Sequence, residues 1–312
     1  MAHARRFRFG VDLQHPFAGR SWLDTAREAE GLGYSTLFVP DHLDAGLGPI
    51  AAIAAAAAVT TSINVGTLVL DCDFRHPAVL ARELASVDVL SEGRLEVGVG
   101  AGWKRTDYDH SGITMDPPSV RVARMIEHVS VLKGLFAPGP FSFTGEHYTI
   151  TDLEGTPKPY RAGGPPFVIA GGAPRVLRFA GATADIVGVN ASIHSGEIDA
   201  EAAQDAVPER IDQKVGWVRE GAGNRFDDLE LNAWLAVAEV TDASAELAEV
   251  LAAGFGTDAG ALLGSPLTLV GSAAEIAERL EERRDRWGYS YTVIPGDKAH
   301  DFAPIVAELT GT

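Results

Sequence analysis

Residues 167–190 read as a strand, a glycine turn, a helix and a second strand in direct succession. The apolar run 167–170 lacks polar alternation, which is typical of a strand buried on both faces of a parallel sheet. Gly171 and Gly172 let the backbone turn sharply, and Pro174 suits the first turn of a helix, where a missing N–H costs no hydrogen bond. This βαβ unit therefore predicts a fold that contains a parallel sheet.

The turn between this strand and its helix is also a candidate anion site. Backbone amides of a first helical turn point towards a ligand above the strand, and with the helix dipole they favour a phosphate. We expect Gly171, Gly172 and Ala173 to form this cradle, with Arg175 as a source of positive charge. An ordinary βα turn, whose glycines serve geometry alone, is the open alternative.

Strand-like and helix-like runs alternate along the rest of the chain. The first strand is predicted at 7–13 and its helix at 22–32, with Ser21 as N-cap and Gly33 at the C-terminal end. Eight such units in order predict a (β/α)8 TIM barrel. A Rossmann fold is the main rival, but no G-x-G-x-x-G follows the first strand. The other predicted strands lie at 36–39, 63–70, 95–99, 167–170, 229–240 and 290–294 and before Asn190, and the other helices at 50–59, 78–90, 120–136 and 273–287.

The chain length fits one domain. A single (β/α)8 barrel commonly reaches the 312 residues present here, so we expect one domain over 1–312. Three stretches exceed a minimal barrel and are predicted insertions: a hairpin at 141–150, a polar helix or lid at 195–208, and the segment 257–269. No linker rich in Pro, Gly or Ser marks a domain boundary.

The charge balance limits the class of partner. There are 43 acidic and 26 basic side chains, net −17, which argues against binding to nucleic acid or to an anionic membrane. The single cysteine, Cys72, is compatible with a reducing cytoplasm, and no apolar segment of a secretory signal follows the first basic residues. We therefore expect a cytoplasmic enzyme that acts on a small molecule. An anionic cofactor would need local cations, and the candidates beside strand ends are Arg75, Lys104, Arg105 and Arg175.

Active sites of (β/α)8 barrels lie at the carboxyl ends of the strands. Asp41 and His42 follow the second strand, where a histidine exchanges a proton near neutral pH and a carboxylate beside it orients the ring. Gly100 and Trp103 follow the fourth strand, where glycine leaves room for a flat ligand and tryptophan offers a stacking face. A helix cap for the Asp–His pair, and simple packing for the other two residues, are the alternatives.

The loop after the third strand carries two further carboxylates. Asp71 and Asp73 are spaced by one residue, but no third and fourth ligand follows at a recognisable spacing, so no metal site is expected. Cys72 between them is interpreted as a packed thiol, because no base is assignable to it. Asn232 and Trp234 on the seventh strand either line the same barrel mouth or pack in the core.

Several motifs together resemble one family. They are DHL at 41–43, GTLVLDCDFRHP, DVLSEGRLEVGVGAGW at 88–103, VIAGGAPRVLRFAGATAD and, near the C-terminus, LVGSAAEIAERL. This combination resembles the bacterial luciferase-like superfamily over most of the chain. The segments VREGAGNRFDDLELN and RRDRWGYSYTVI resemble its actinobacterial branch, whose cofactor is the deazaflavin coenzyme F420.

The resemblance implies a (β/α)8 barrel with the deazaflavin ring at its mouth and the cofactor phosphate near the Gly171 turn. It implies hydride transfer between F420 and a bound organic substrate. By the same resemblance, Asp41 contacts the cofactor and His42 lies at the reacting face as the catalytic residue. A non-proline cis peptide bond that supports the ring is expected between Leu68 and Val69, and both residues are expected to contact the cofactor.

Two departures from the family pattern leave the substrate open. Relatives that oxidise sugar phosphates or secondary alcohols carry an acid where this chain has Ala101, and the nearest carboxylates are Asp107 and Asp109. The aromatic residue that often follows the DH pair is also missing, since Ala45 and Gly46 occupy that region. Those activities therefore do not transfer to this chain.

Other functions and an assembly state follow from the same reading. An FMN-dependent monooxygenase that uses reduced flavin and O2 is the first alternative function, and a noncatalytic flavin-binding or deazaflavin-binding protein is the second. Barrels of the superfamily commonly pair, so a homodimer is expected, with the helices at 50–59 and 78–90 as contact surfaces.

Overall fold

The computed structural model describes residues 5–193, 196 and 199–312. The strands are β1 (Arg8–Asp12), β2 (Thr36–Val39), β3 (Asn64–Thr67), β4 (Leu70–Asp71), β5 (Leu95–Gly100), β6 (Pro140–Thr144), β7 (Thr149–Glu154), β8 (Phe167–Gly171), β9 (Ile186–Val189), β10 (Glu230–Trp234), β11 (Val237–Val240), β12 (Thr268–Gly271) and β13 (Tyr289–Pro295). The helices are α1 (Trp22–Gly31), α2 (Pro49–Val59), α3 (Pro77–Leu90), α4 (Arg105–Ser111), α5 (Pro118–Phe136), α6 (Pro174–Thr183), α7 (Ala200–Gln204), α8 (Pro208–Ala222), α9 (Ser244–Phe255), α10 (Ala259–Gly264), α11 (Ala273–Trp287) and α12 (Ala299–Leu309).

The chain divides into two compact units. The first unit comprises Met1–Asp12, Glu28–Ser35 and Ile169–Thr312, and the second comprises Leu13–Arg27 and Thr36–Val168. In the first unit β9, β10, β13 and β1 pair in that order, all parallel. In the second unit β2 pairs with β3 and β5 pairs with both β3 and β4, again parallel.

Residues of these strands are buried on both faces, as their apolar sequences predict. Helices follow the strands in chain order, and parallel pairing with such alternation is the arrangement of the (β/α)8 barrel. The predicted fold class is therefore confirmed. Ser21 accepts a hydrogen bond from the Asp24 backbone N–H at the start of α1, which confirms it as the cap of that helix.

Two predicted strands are broken in the structure. The run 63–70 is divided into β3 and β4, and the run 229–240 into β10 and β11. After Trp234 the chain leaves the barrel sheet, because the Ala236 backbone N–H donates to the carbonyl of Leu267 and β11 then pairs with β12. The predictions of single continuous strands were wrong, since apolar content does not reveal which neighbour a strand pairs with.

The predicted insertions have defined structure where it is described. Strands β6 and β7 form an antiparallel hairpin, which confirms the prediction for 141–150. Helix α7 lies in 195–208, where Asp199 accepts a hydrogen bond from the Ala202 N–H, but Ser195 lies outside the described residues. Helix α10 and the start of β12 occupy 257–269. A single domain over 1–312 stays a prediction.

The surface helices bear on assembly and on membrane contact. Val79 and Leu90 on α3 are exposed apolar residues, at 58% and 68%, and the alanine-rich α2 carries no charged side chain. The homodimer stays a prediction. Within the described residues, no helix has the length and apolar character needed to span a membrane.

The buried histidine of α5 makes a testable contribution to stability. Burial and, to a smaller extent, the nearby His76 lower the pKa of His128 to about 3. Above about pH 6.5 the His128 imidazole is neutral in both the folded and the unfolded chain. As the pH falls from about 6.5 towards about 3, only the unfolded chain binds the proton, so the free energy of unfolding falls.

We expect His128→Asn to remove this dependence. Between those pH values, the free energy of unfolding of the wild type should fall more steeply than that of the variant, by about 1.4 kcal/mol per pH unit. Urea unfolding at a series of pH values measures the difference. His15→Asn, at an exposed loop position, is the control, and equal slopes for wild type and His128→Asn would contradict the prediction.

Candidate functional site

His42 follows β2 and is held by a buried carboxylate. Its Nδ1 lies 2.7 Å from Oδ2 of Asp107, whose side chain is 4% exposed against 16% for the histidine. The other carboxylate oxygen of Asp107 accepts the Leu43 backbone N–H at 2.9 Å. The ring of Trp103 meets the imidazole edge-on, with centroids 5.6 Å apart. His42 is thus a partly exposed imidazole in a fixed position, which suits proton exchange with a ligand.

Helix α4 brings Asp107 to this position. The helix was not predicted, and Asp107 was identified only as one of the nearest acids in the loop after the fourth strand. It lies in the first turn of α4, where a carboxylate is also favoured by the helix dipole. Two features of the sequence could have indicated this helix. Asp107 is an acidic residue in its first turn, and Gly112 ends the helix in a left-handed conformation.

Asp41, predicted to contact the cofactor, is hydrogen-bonded to other residues of the protein. Its carboxylate accepts two hydrogen bonds from Arg75, at 2.5 and 3.1 Å, and one from the Asp71 backbone N–H at 3.1 Å. The residue is 5% exposed. Arg75, one of the cations predicted for an anionic cofactor, therefore neutralises Asp41. Contact of Asp41 with a cofactor stays a prediction.

The carboxylates after β4 form a hydrogen-bond cluster. The Tyr108 hydroxyl lies 2.7 Å from Oδ2 of Asp71 and 3.0 Å from Oδ2 of Asp73. Arg124 pairs with Asp73 at 2.5 Å. Burial raises the pKa of Asp71 to about 6 and raises the pKa of the Cys72 thiol above its ordinary range. The two carboxylates and the thiol lie within 4.8 Å of one another, but the tyrosine and arginine account for the carboxylates without a metal ion.

The break between β3 and β4 contains the expected unusual peptide bond. The bond between Leu68 and Val69 is cis, which confirms that prediction. A Cβ atom at Gly100 on β5 would lie 2.6 Å from Cγ2 of Val69. Close packing against Val69 therefore explains this glycine, and space there for a flat ligand stays a prediction.

The turn after β8 lines a cavity of about 640 Å³ in the first unit. Gly172 and Ala173, both predicted for the anion cradle, line it together with Ser192 and Arg210. A Cβ atom at Gly172 would lie 2.4 Å from the Ser192 backbone nitrogen, so a side chain there would displace the loop after β9. The remaining lining residues are Pro174, Glu201, Gln204, Asp205, Gln213 and Trp217.

The charged residues of this cavity are the arginine Arg210 and the carboxylates Glu201 and Asp205. Arg175, the predicted cation, is exposed on α6, whereas Arg210 of α8 lines the cavity. Arg210 binds Asp205 at 2.9 Å, and Asp205 also accepts a hydrogen bond at 2.5 Å from Lys214, whose side chain is fully buried. Gly171 packs against Val176 on the same turn. No local pattern indicates Arg210, because it lies far along the chain from the glycine turn.

The residue after β9 and the middle of β10 carry unsatisfied polar groups. The side-chain oxygen of Asn190 and both amide atoms of Asn232 are buried and have no hydrogen-bond partner among the described residues. Trp234, by contrast, donates its indole N–H to Asp12 at 2.9 Å. Trp234 thus has a structural partner on β1, while Asn190, adjacent to the Gly172 turn, has an oxygen left to accept a hydrogen bond.

Comparison with known proteins places the chain in a family. The model of the luciferase-like monooxygenase family matches residues 4–211. A curated relative, the F420-dependent glucose-6-phosphate dehydrogenase of Amycolatopsis mediterranei, is 31% identical over 177 residues, which cover 54% of this chain and 53% of the relative. The chain therefore spans about half the length of the curated relatives it matches.

Solved structures show the same fold over nearly the whole chain. The F420-dependent tetrahydromethanopterin reductase of Methanopyrus kandleri has a TM-score of 0.74 at 18% identity, covering 98% of this chain and 99% of that one. The monooxygenase RslO1 of Streptomyces bottropensis has a TM-score of 0.70 at 20% identity, covering 97% and 98%. Because the family model spans more than half of the sequence, the chain belongs to the luciferase-like monooxygenase family.

Proposed function

We propose that this protein is an F420-dependent oxidoreductase that transfers a hydride between the deazaflavin and a small organic substrate. The observation that carries the proposal is the bond between His42 and Asp107, which holds a partly exposed imidazole at the end of a barrel strand. Curated relatives named as F420-dependent dehydrogenases support the choice of cofactor. The fold alone does not separate this function from that of a monooxygenase, since the monooxygenase RslO1 shares the fold.

The residues present fit an anionic cofactor arm. The cavity beside Gly172 and Ala173 is bordered by Arg210, and the carboxylates Glu201 and Asp205 line it too. The backbone amides at the start of α6, with Arg210, would hold a phosphate. In the second unit, Asp41 and the segment Leu68–Val69 are proposed to contact the deazaflavin ring.

His42 exchanges a proton with the substrate oxygen in the proposed reaction. When bound, F420 supplies a ring that accepts a hydride from a substrate carbon or returns it, without the oxygen chemistry of a flavin. In alcohol oxidation His42 takes the hydroxyl proton, and in carbonyl reduction it returns that proton to the oxygen. Asp107 accepts a hydrogen bond from the ring throughout, and Trp103 limits the movement of the imidazole.

Titration with both cofactors tests the proposal. We expect F420 to bind with a Kd in the micromolar range or tighter and FMN to bind at least about tenfold more weakly, measured by fluorescence. Tighter binding of FMN would favour the monooxygenase alternative. Reduction or oxidation of F420 by added substrates, followed optically, separates an enzyme from a noncatalytic carrier.

The groups around His42 favour an uncharged substrate. Lys104 lies 2.6 Å from both carboxylate oxygens of Asp44, so its charge is neutralised. In the loop after His42, Leu43 and Leu47 are exposed apolar side chains, at 52% and 47%. Ala101 replaces the acid of relatives that oxidise secondary alcohols, so the charge of these groups supports the proposal and those relatives do not. On that ground a neutral alcohol or ketone suits this surface better than a sugar phosphate.

Two alcohols that differ in one charge test this preference. We expect kcat/KM for octan-2-ol to exceed that for 7-hydroxyoctanoate by about tenfold or more, which corresponds to roughly 1.4 kcal/mol. Leu47→Lys should reduce the ratio of kcat/KM for octan-2-ol to kcat/KM for 7-hydroxyoctanoate. The matched control is Leu153→Lys, at an exposed position on the β6–β7 hairpin. A higher kcat/KM for the carboxylate in the wild type would contradict the prediction.

A further inference from the structure

The hydrogen bonds of Asp107 determine which nitrogen of His42 carries a proton. Oδ1 of Asp107 accepts the Leu43 N–H at 2.9 Å and Oδ2 faces Nδ1 of His42 at 2.7 Å. A carboxylate only accepts hydrogen bonds, so Nδ1 must be the donor. In a neutral imidazole the proton on Nδ1 leaves Nε2 with a free lone pair.

The surroundings of the ring leave Nε2 available. Within the described part of the chain, the bond to Asp107 is the only hydrogen bond of the His42 side chain. Trp103 touches the imidazole edge-on, and the other nearby charge, Asp44, is bound to Lys104. No group of residues 5–193, 196 and 199–312 therefore competes with a ligand for Nε2.

We infer that Asp107 is a positioning residue that fixes His42 as the Nδ1–H tautomer, so that Nε2 is the atom that exchanges a proton with the substrate. The inference rests on the proposed function, which makes His42 the proton-exchanging group. In alcohol oxidation the substrate O–H bond breaks and its proton forms a bond to Nε2, while the C–H bond of the carbon that bears this oxygen breaks and its hydride would pass to the deazaflavin, the oxidant of the proposed function. The resulting imidazolium then has one N–H facing Asp107 and the other facing the product carbonyl, and it returns the second proton to solvent.

Replacing Asp107 with asparagine reverses the direction of its hydrogen bond with Nδ1 of His42. In Asp107→Asn, the side-chain oxygen would keep the Leu43 N–H, and the amide nitrogen would then donate to Nδ1 of His42. The ring would switch to the Nε2–H tautomer, which has no lone pair towards the substrate. The shape of the side chain changes little, so the loop after β2 keeps its backbone hydrogen bond.

Nitrogen-15 NMR of histidine side chains tests the tautomer directly. For the wild type, with the His42 ring in its neutral form, we expect the signals of a protonated Nδ1 and an unprotonated Nε2. In Asp107→Asn the pattern should reverse, while His110, exposed on α4, should keep its own pattern. The spectrum of His42→Gln assigns the signals. A protonated Nε2 in the neutral wild-type ring overturns the inference without any variant.

Kinetics provide the second readout. Asp107→Asn should lower kcat by about 10²-fold or more with KM and F420 affinity near wild-type values, and Asp107→Glu should restore part of kcat. An unchanged tautomer in Asp107→Asn, or equal kcat in Asp107→Asn and wild type, overturns the inference. The NMR measurement needs no cofactor, so failure of F420 to bind would overturn the proposed function separately.

Discussion

Replacing His42 with alanine is expected to lower kcat by about 10²-fold or more while F420 affinity stays near the wild-type value. The reason is that His42 is the partly exposed proton-exchanging group held by Asp107, whereas its ring is not required for the anion cradle in the first unit. Turnover of a secondary alcohol with F420, followed optically, and fluorescence titration of F420 measure the two effects. His110→Ala, at an exposed position, is the control.

The neighbouring aspartate should behave differently. Asp41→Ala leaves Arg75 and the Asp71 N–H without their partner, and we expect it mainly to weaken cofactor binding. If His42→Ala turned over substrate at the wild-type rate, the proton would have to come from Asp107, Asp109 or solvent. That result would remove His42 from the reaction.

Replacing Gly172 with valine is expected to weaken F420 binding by about 100-fold or more, or roughly 3 kcal/mol. A Cβ atom there would lie 2.4 to 2.7 Å from backbone atoms of residues 190–192, so that loop must move. The Ser192 N–H donates to Asp205, and Asp205 binds Arg210. Movement of this loop should therefore also displace Arg210, which lines the cavity.

The same substitution at another glycine separates this effect from a general loss of stability. Gly216 on α8 has no atoms near its would-be Cβ, so Gly216→Val should bind F420 like the wild type. Thermal unfolding and circular dichroism identify variants that have lost the fold. Wild-type affinity in a folded Gly172→Val variant would exclude this turn from the cofactor site.

Local patterns were sufficient for the fold class and for part of the candidate site. The buried strand β8, the glycine turn and the proline at the start of α6 are encoded within ten residues, because strand burial and helix initiation depend on neighbours in the sequence. The hairpin of β6 and β7 follows from alternation in the same way. Family motifs identified His42 and the cis bond at Leu68.

Contacts between distant residues were decided only by tertiary structure. Asp107 lies 65 positions from His42, and Arg210 is separated from the turn at Gly172 by α6, β9 and α7, so no local period connects either pair. The break between β10 and β11 likewise depends on the backbone partner at Leu267. Local burial and turn chemistry predict the positions of the parallel strands and of several helices, but they missed α4 and the breaks after β3 and β10. Which carboxylate holds the imidazole and which cation lines the cavity depend on the packing of α4 and α8, which brings distant side chains within hydrogen-bond distance.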